Sequence, residues 1–344
     1  MSTLPYTLFL LANAPPPVRR LFGQSLLALT LLLGSSSMAA HKVVDFQGKV
    51  VLQRKRPQGW SAPFPLRRRG VSVVSDDRIE VKTGSEALVR CASRGNKLWS
   101  VEPGGPYPVS RGCGVDAILR LARREAGLPG GGDPRLPYVI QPRATLVREG
   151  PVSVSWHPVA GVAGYQVWLV RQRDQRLLWG ARVTNIAATT LPQTVPLVAG
   201  EAYLFVVEAD DGSSSQLDPG APHQGFRRAT MEEERRLERN LAELPLGKLD
   251  PEATQLLRAD IQRSHGFIGA AINTLEETMR ERPNSLGILL DLGELYSLVG
   301  LNKLASERFN QAAALAAAER DTESLTEAQS GASQALERLR STTP

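Results

Sequence analysis

Residues that do metal or covalent chemistry are scarce in this sequence. Its 344 residues hold 2 Cys, 4 His and 4 Met, and aromatic residues make up 6%. The histidines (His41, His157, His223 and His265) are scattered, and none has a Cys, His or Glu partner at metal-ligand spacing. There is no Ser nucleophile elbow, no Cys with a catalytic partner and no dinucleotide-binding fingerprint. Gly130-Gly131-Gly132-Asp133-Pro134 lacks the Lys-Ser/Thr pair of a phosphate loop and reads as a flexible linker. Asp210-Asp211-Gly212 has no further acids at alternate positions, so it reads as a turn and not as a calcium loop. These absences predict a chain that is not an enzyme and uses no cofactor or metal.

Long apolar runs are also missing. Residues 21–33 form an apolar stretch of about 13, short of the ~20 that span a bilayer comfortably. Arg19 and Arg20 precede it, and Gly34-Ser-Ser-Ser37-Met-Ala39-Ala40 follows it. A basic patch, a short apolar run and a small-x-small site make a secretory signal peptide over residues 1–40. No Cys follows the run, so a lipoprotein anchor is not expected. The run Pro15-Pro16-Pro17 ahead of the arginines is unusual for a signal and is explained if the true start is the codon for Val18. The signal predicts an exported protein of the periplasm or cell surface. The alternative is an uncleaved signal that anchors the chain to the inner membrane.

What is plentiful is Gly (30) and Pro (24), both without period, which suits loop-rich β modules. The net charge of +6 is uneven. Residues 42–112 carry 14 Lys and Arg against 6 Asp and Glu, while residues 226–344 carry 15 against 19. A basic front could face an anionic envelope polymer; export argues against nucleic acid.

Residues 41–113 alternate short β-like runs with turns such as Thr83-Gly84-Ser85. With Gly48-Lys-Val50-Val-Leu52, Asp77-Arg-Ile79, Ala87-Leu-Val89, Leu98 and Pro103, the pattern resembles the FecR-type exported β domain. Where that family usually has Gly before the aspartate, Asp76 stands here. The family's sigma-factor signalling is not expected, because the stretch up to Arg20 is too short for such a cytoplasmic part. A membrane-anchored envelope sensor remains an alternative. Cys91 and Cys113, an even pair in an exported chain, predict a disulfide worth roughly 3 kcal/mol in the loop-entropy model.

Residues 114–137 read as a short amphipathic helix and the Gly/Pro linker. Residues 138–220 then alternate apolar and polar residues with period two. Trp156-x-Pro158 and Leu197-x-x-Gly200-x-x-Tyr203 carry a resemblance to a fibronectin type III-like sandwich, with Trp156 in the core and Tyr203 bonding back to its corner. Trp168 and Trp179 offer a sugar-stacking surface if they face outward; core or edge packing is the alternative.

Residues 226–344 are helical. Thr230 and Asp250-Pro251 are helix starts. Leu289-x-x-Leu292-Gly293-x-x-Tyr296, then Ala305-x-x-x-Phe309-x-x-Ala312, resembles a tetratricopeptide repeat over about 286–319, with Ala317 replacing the final proline. A degenerate repeat precedes it through Ala271, Leu275 and Pro283. The resemblance implies a protein-binding groove lined by Leu290, Glu294, Ser297 and Leu298. The fold class expected is thus a multidomain β + α chain: a small all-β FecR-like domain, a fibronectin type III-like sandwich and a C-terminal helical solenoid. The sandwich is expected to hold the basic front and the acidic groove apart. The function expected is a non-enzymatic scaffold for protein partners in the cell envelope, with a polysaccharide or peptidoglycan binder as the alternative. N-terminal sequencing should find the mature chain starting at Ala40 or His41; residues 1–39 intact on the mature protein would refute export by a cleaved signal.

Overall fold

The alternating valines of the first module close two four-stranded sheets on each other. A computed structural model describes residues 41–92, 97–113, 128–245, 247 and 249–340; the predicted signal peptide and the predicted helix at 114–127 lie outside them. The first ten strands are β1 (His41–Gln47), β2 (Val50–Gln53), β3 (Lys55–Arg56), β4 (Gly59–Trp60), β5 (Phe64–Pro65), β6 (Val71–Val73), β7 (Arg78–Val81), β8 (Glu86–Cys91), β9 (Lys97–Val101) and β10 (Gly104–Pro108). One sheet runs β6-β1-β8-β9, the other β10-β7-β2-β5, and β3-β4 is a separate hairpin. Val43, Leu52, Ile79, Val81 and Val89 fill the space between the sheets. β1 is unusual in burying five successive residues, His41 to Asp45. Alternation explains it: Val43 faces the sandwich core, while Val44 faces the opposite way into a cluster with Leu237, Leu257, Ile261 and Phe267 of the helices. A strand covered on both faces loses the polar half of its pattern.

The short motifs of this module hold its turns. Gly48, at φ +75°, lies so close to Ser85 that a Cβ would stand 2.4 Å from the Ser85 hydroxyl oxygen. That hydroxyl accepts from the Lys49 N–H at 2.8 Å. Asp77 is 1% exposed and accepts from the Lys55 and Val74 N–H groups and from Arg54. The Cys91 and Cys113 sulfurs are bonded, with Cα atoms 4.8 Å apart, and α1 (Ser110–Cys113) is a single turn pinned to β8 by that bond.

The second module is a sandwich of three and five strands. One sheet orders β11 (Val139–Gln141), β13 (Val152–Trp156) and β16 (Ala188–Leu191). The other orders β12 (Thr145–Val147), β18 (Phe226–Arg228), β17 (Ala202–Ala209), β14 (Gly164–Arg171) and β15 (Arg176–Thr184). Trp156 is 1% exposed and meets Tyr165 edge-on at 5.4 Å. The Tyr203 hydroxyl accepts from the Val198 N–H at 2.7 Å across the turn at Gly200, which is the tyrosine corner of such sandwiches. The expected boundary at 220 falls short. Phe226 stacks on Phe205 at 5.3 Å, so Phe226–Arg228 is the sandwich's last strand. Three residues are too few to show a period of two.

Six helices follow: α2 (Met231–Ala242), α3 (Pro251–Ser264), α4 (Ile268–Glu281), α5 (Leu286–Leu298), α6 (Asn302–Ala318) and α7 (Thr322–Arg340). Thr230 and Glu233 form a reciprocal capping box on α2, and Asp250 caps α3 ahead of Pro251. A Cβ on Gly293 of α5 would stand 2.7 Å from Phe309 of α6, and one on Gly331 of α7 would stand 2.6 Å from the same ring. Two glycines therefore let three helices close around one phenylalanine.

The described part of residues 36–344 is one unit, not modules on tethers. The Gly130–Gly132 segment, expected to be a flexible linker, is a packed junction. The Gly131 N–H donates to Asp218 at 2.8 Å, and the Asn302 side chain donates to the Gly130 carbonyl at 3.0 Å. A Cβ on Gly131 would stand 2.5 Å from the Gly300 carbonyl, so glycine serves close approach here rather than freedom. Asp218 in turn bonds Arg143 at 3.0 Å, and both side chains are 0% exposed. Arg143 also donates to the carbonyls of Val299, Gly300 and Val139, while Gln224 donates to Asp218. One ion pair thus ties the sandwich, the glycine segment and the turn after α5 together.

Two outcomes follow from this packing. Asp218→Ala should destabilise the protein by about 3–5 kcal/mol in urea unfolding, because it leaves a buried guanidinium without its counter-charge; a loss below ~1 kcal/mol would contradict the junction. Glu233 accepts from Arg227 and from the Thr230 backbone and hydroxyl, which against burial hold its carboxyl at about 2, below the ordinary 4.5. A depressed carboxylate contributes stability that is present above its ordinary value and lost as pH falls towards the folded one. The stability gap between wild type and Glu233→Gln should therefore be full at pH 7 and shrink between pH 4.5 and about 2, followed by thermal unfolding.

Candidate functional site: a charged seam between the first β module and the helices

The basic excess of the front and the acidic excess of the tail meet within the molecule. β1 and β8 set Lys42 opposite Arg90 on the sheet face that receives the helices. Lys42 bonds Asp291 of α5 at 2.8 Å, Arg90 bonds Asp260 of α3, and Arg263 bonds Glu294 at 3.1 Å. The next cations along the front continue the seam. Arg54 donates through Nε to Glu323 of α7 at 2.9 Å, and Arg68 pairs with Glu327 at 2.6 Å and donates to the Ser324 hydroxyl at 2.8 Å. Arg69 pairs with Asp45 at 2.7 Å and lies 3.8 Å from Asp250.

Burial and pairing compete in the middle of the seam. Burial works to lower the Lys42 ammonium, but Asp291, Asp260 and Glu294 outweigh it and hold it above its ordinary value. Burial works to raise Asp260, but Arg90, Lys42 and Arg263 carry it below the usual carboxylate range. For the partners burial wins: it holds the Asp291 carboxyl above its ordinary value against Lys42, and the Arg90 guanidinium below its own against Asp260. Three cations thus face three carboxylates in a site where an unpaired charge is costly. Such a device fixes how the two modules sit.

Of the residues expected to line a groove, Leu290 and Glu294 are not free on an open surface. Leu290 is 1% exposed within the helical core. Glu294 is engaged by Arg263, Ser297 and Leu298 are half-buried, and Asp291, beside Leu290, holds Lys42. Leu290 is covered by the helices themselves, while Asp291 beside it meets Lys42 of the front sheet, so the picture of a spacer separating the two ends is corrected. Lys42, Arg90, Asp260 and Asp291 were not singled out in the sequence. Their only signal was the opposite charge balance of the two ends.

The two tryptophans part company. Trp168 lies on the outer face of the five-stranded sheet, across from Gly180, where a Cβ would stand 2.9 Å from the indole. Trp179 pairs with Leu169 and packs against the sandwich core at its edge. A cleft of about 550 Å³ between sandwich and helices is lined by Thr145, Phe226, Arg227, Glu233 and His265 among others. Burial and the Arg236 charge push the His265 imidazole down, and Asn240 bonds it at 2.8 Å. Among the described residues no group of three His, Cys, Asp or Glu side chains could hold a metal ion.

No protein-family model matches this sequence, and no curated protein matches it. Solved structures with similarity include the FN1–FN3 domains of chicken CNTN1, at 14% identity and a TM-score of 0.18, covering 51% of this chain and 50% of that one. A chain of a cytokine receptor complex matches at 17% identity and a TM-score of 0.17, covering 52% of this chain and 88% of that one. A second crystal form of such a complex gives 16%, 0.17, 54% and 87%. The chain thus spans half the length of the first of these structures. The neighbours are fibronectin type III-like β-sandwich domains; this chain joins β-sandwich structure to a C-terminal helical region.

The seam makes a sharp demand. Asp291→Leu should cost about 3 kcal/mol, since Lys42 is 5% exposed and loses its bonded carboxylate. Adding Lys42→Met should recover most of that loss, because an apolar pair of similar volume is tolerated where a lone charge is not. Urea midpoints for the two single variants and the double variant decide it, and simple additivity would refute the pairing.

Proposed function

We propose that this chain is a non-enzymatic, exported scaffold of the bacterial cell envelope, acting as one rigid body and not as a string of modules. The observation that carries this reading is the buried disulfide between Cys91 and Cys113, 1% and 0% exposed, in the core of the first module. Disulfides of this kind persist in oxidising compartments, which agrees with the signal-peptide pattern of residues 1–40. The FecR-like motifs of the first module and the tetratricopeptide-like motifs of α5 and α6 support an envelope interaction protein.

A protein partner would then use a surface other than Leu290, which is buried, and Glu294, which Arg263 engages. β15 is the open edge of the five-stranded sheet, nine residues long, with Leu177 57% exposed on it and Ile186 60% exposed just beyond. A strand edge with free N–H and C=O groups accepts an added strand. A second reading, contact with an anionic polymer, is favoured by one specific cluster in the first module, described below.

The test is fractionation combined with thiol tagging. The mature chain should be released with the periplasmic fraction and show no maleimide-reactive cysteine until it is reduced. A cytoplasmic chain with Cys91 and Cys113 both reactive would overturn the proposal.

A further inference from the structure

Two groups stand out among the cations of the first module. Lys42, Arg54, Arg68, Arg69 and Arg90 are bonded to carboxylates, most of them on the helices. Lys55, Arg56 and Arg78 form the other set; among the described residues no carboxylate lies within ion-pair distance of them. These three gather at the β3-β4 hairpin, where Trp60 stands 37% exposed. The Arg78 guanidinium lies 3.9 Å from the centre of the Trp60 ring and the Lys55 ammonium 4.7 Å from it. The nearby acids do not neutralise them: Glu80 is bonded to Lys82, exposed Asp76 makes no ion pair, and Asp77 is taken by Arg54.

The cluster is pre-organised. Asp77 accepts from the Lys55 N–H at 3.0 Å and from Arg54 at 2.8 Å at the base of the hairpin. The hairpin's two strands are joined by Ser61 N–H to the Arg54 carbonyl and by Arg54 N–H to the Ser61 hydroxyl, both at 2.9 Å. The register places Arg78 opposite Gln53 in β2 and Pro108 in β10, on the face of the sheet turned away from its core. A fixed, half-exposed indole with unneutralised cations around it is suited to a ligand that carries both negative charge and a ring with an apolar face.

We propose that the Trp60 hairpin binds an acidic polysaccharide, with carboxylates held by Lys55, Arg56 and Arg78 and a sugar ring resting against the exposed part of Trp60. The choice of a polysaccharide over a nucleic acid rests on the exported reading above; the charge and the ring contact rest on the geometry alone. A lipid surface fits less well, because Trp60 is the only large exposed apolar residue of the hairpin and offers no wedge to insert.

The test measures binding of the mature protein to polygalacturonate, to dextran and to a double-stranded DNA oligonucleotide at 150 mM salt, where the Debye length of about 8 Å leaves only close charge contacts. Polygalacturonate should bind and dextran should not. Lys55→Ser/Arg56→Ser/Arg78→Ser should weaken polygalacturonate binding at least tenfold, and Trp60→Ala should weaken it several-fold while leaving its salt dependence unchanged. Arg182→Ser, on the far sandwich, should bind as wild type does, and each variant's thermal midpoint checks that it has folded. Unchanged binding in the folded triple variant would overturn the site, and DNA binding as tight as polygalacturonate would overturn the ligand class. Both readouts are made in vitro, so they fail separately from the fractionation that tests export.

Discussion

The Arg143–Asp218 pair is the constraint on which the rest of the arrangement hangs. Both side chains are removed from water entirely, and every polar atom that completes the site comes from a different stretch of chain: Val139 of the sandwich, Gly131 of the glycine segment, Gln224 of the loop before the last strand, and Val299 and Gly300 after α5. Such a pair adds little net stability over an apolar one, but a misplaced partner would strand a charge, so it selects one arrangement among many. With that junction fixed, the helices are delivered to the outer face of the first module, where the charged seam receives them.

The seam changes how the composition is understood. A basic front of 14 cations against 6 acids suggests a surface waiting for an anionic partner. Much of that excess is instead spent internally on Asp250, Asp260, Asp291, Glu323 and Glu327. The cations around Trp60 are a local cluster that the seam does not take up. An overall charge balance therefore does not separate cations paired within the molecule from cations left at its surface.

Local features were the readable ones. Trp156, Tyr203 and Gly200 announce the sandwich because a core tryptophan and a corner tyrosine do jobs set by neighbours within a few residues. The Thr230 cap, the Asp250-Pro251 start and the close crossing at Gly293 and Phe309 are also short-range. What could not be read is long-range docking. Gly130–Gly132 looks the same in a sequence whether glycine supplies freedom or a backbone passage, and only the partner carbonyl at Gly300 distinguishes them. Leu290 carries the motif of a groove residue yet is buried in the helical core, and its neighbour Asp291 is held by Lys42, 249 residues away in the chain. The last strand, Phe226–Arg228, is too short to carry a period and is defined by Phe205 across the sheet.

The central claim is that the first module and the helices are one cooperative body. Native-state hydrogen exchange at increasing urea tests it most directly, since it reports the opening free energy of each segment separately. The account predicts that protected amides of β1 and α5 share one opening free energy and one urea dependence. If β1 instead opened at lower urea while α5 stayed protected, the seam would be a surface contact and the single-body account would be wrong.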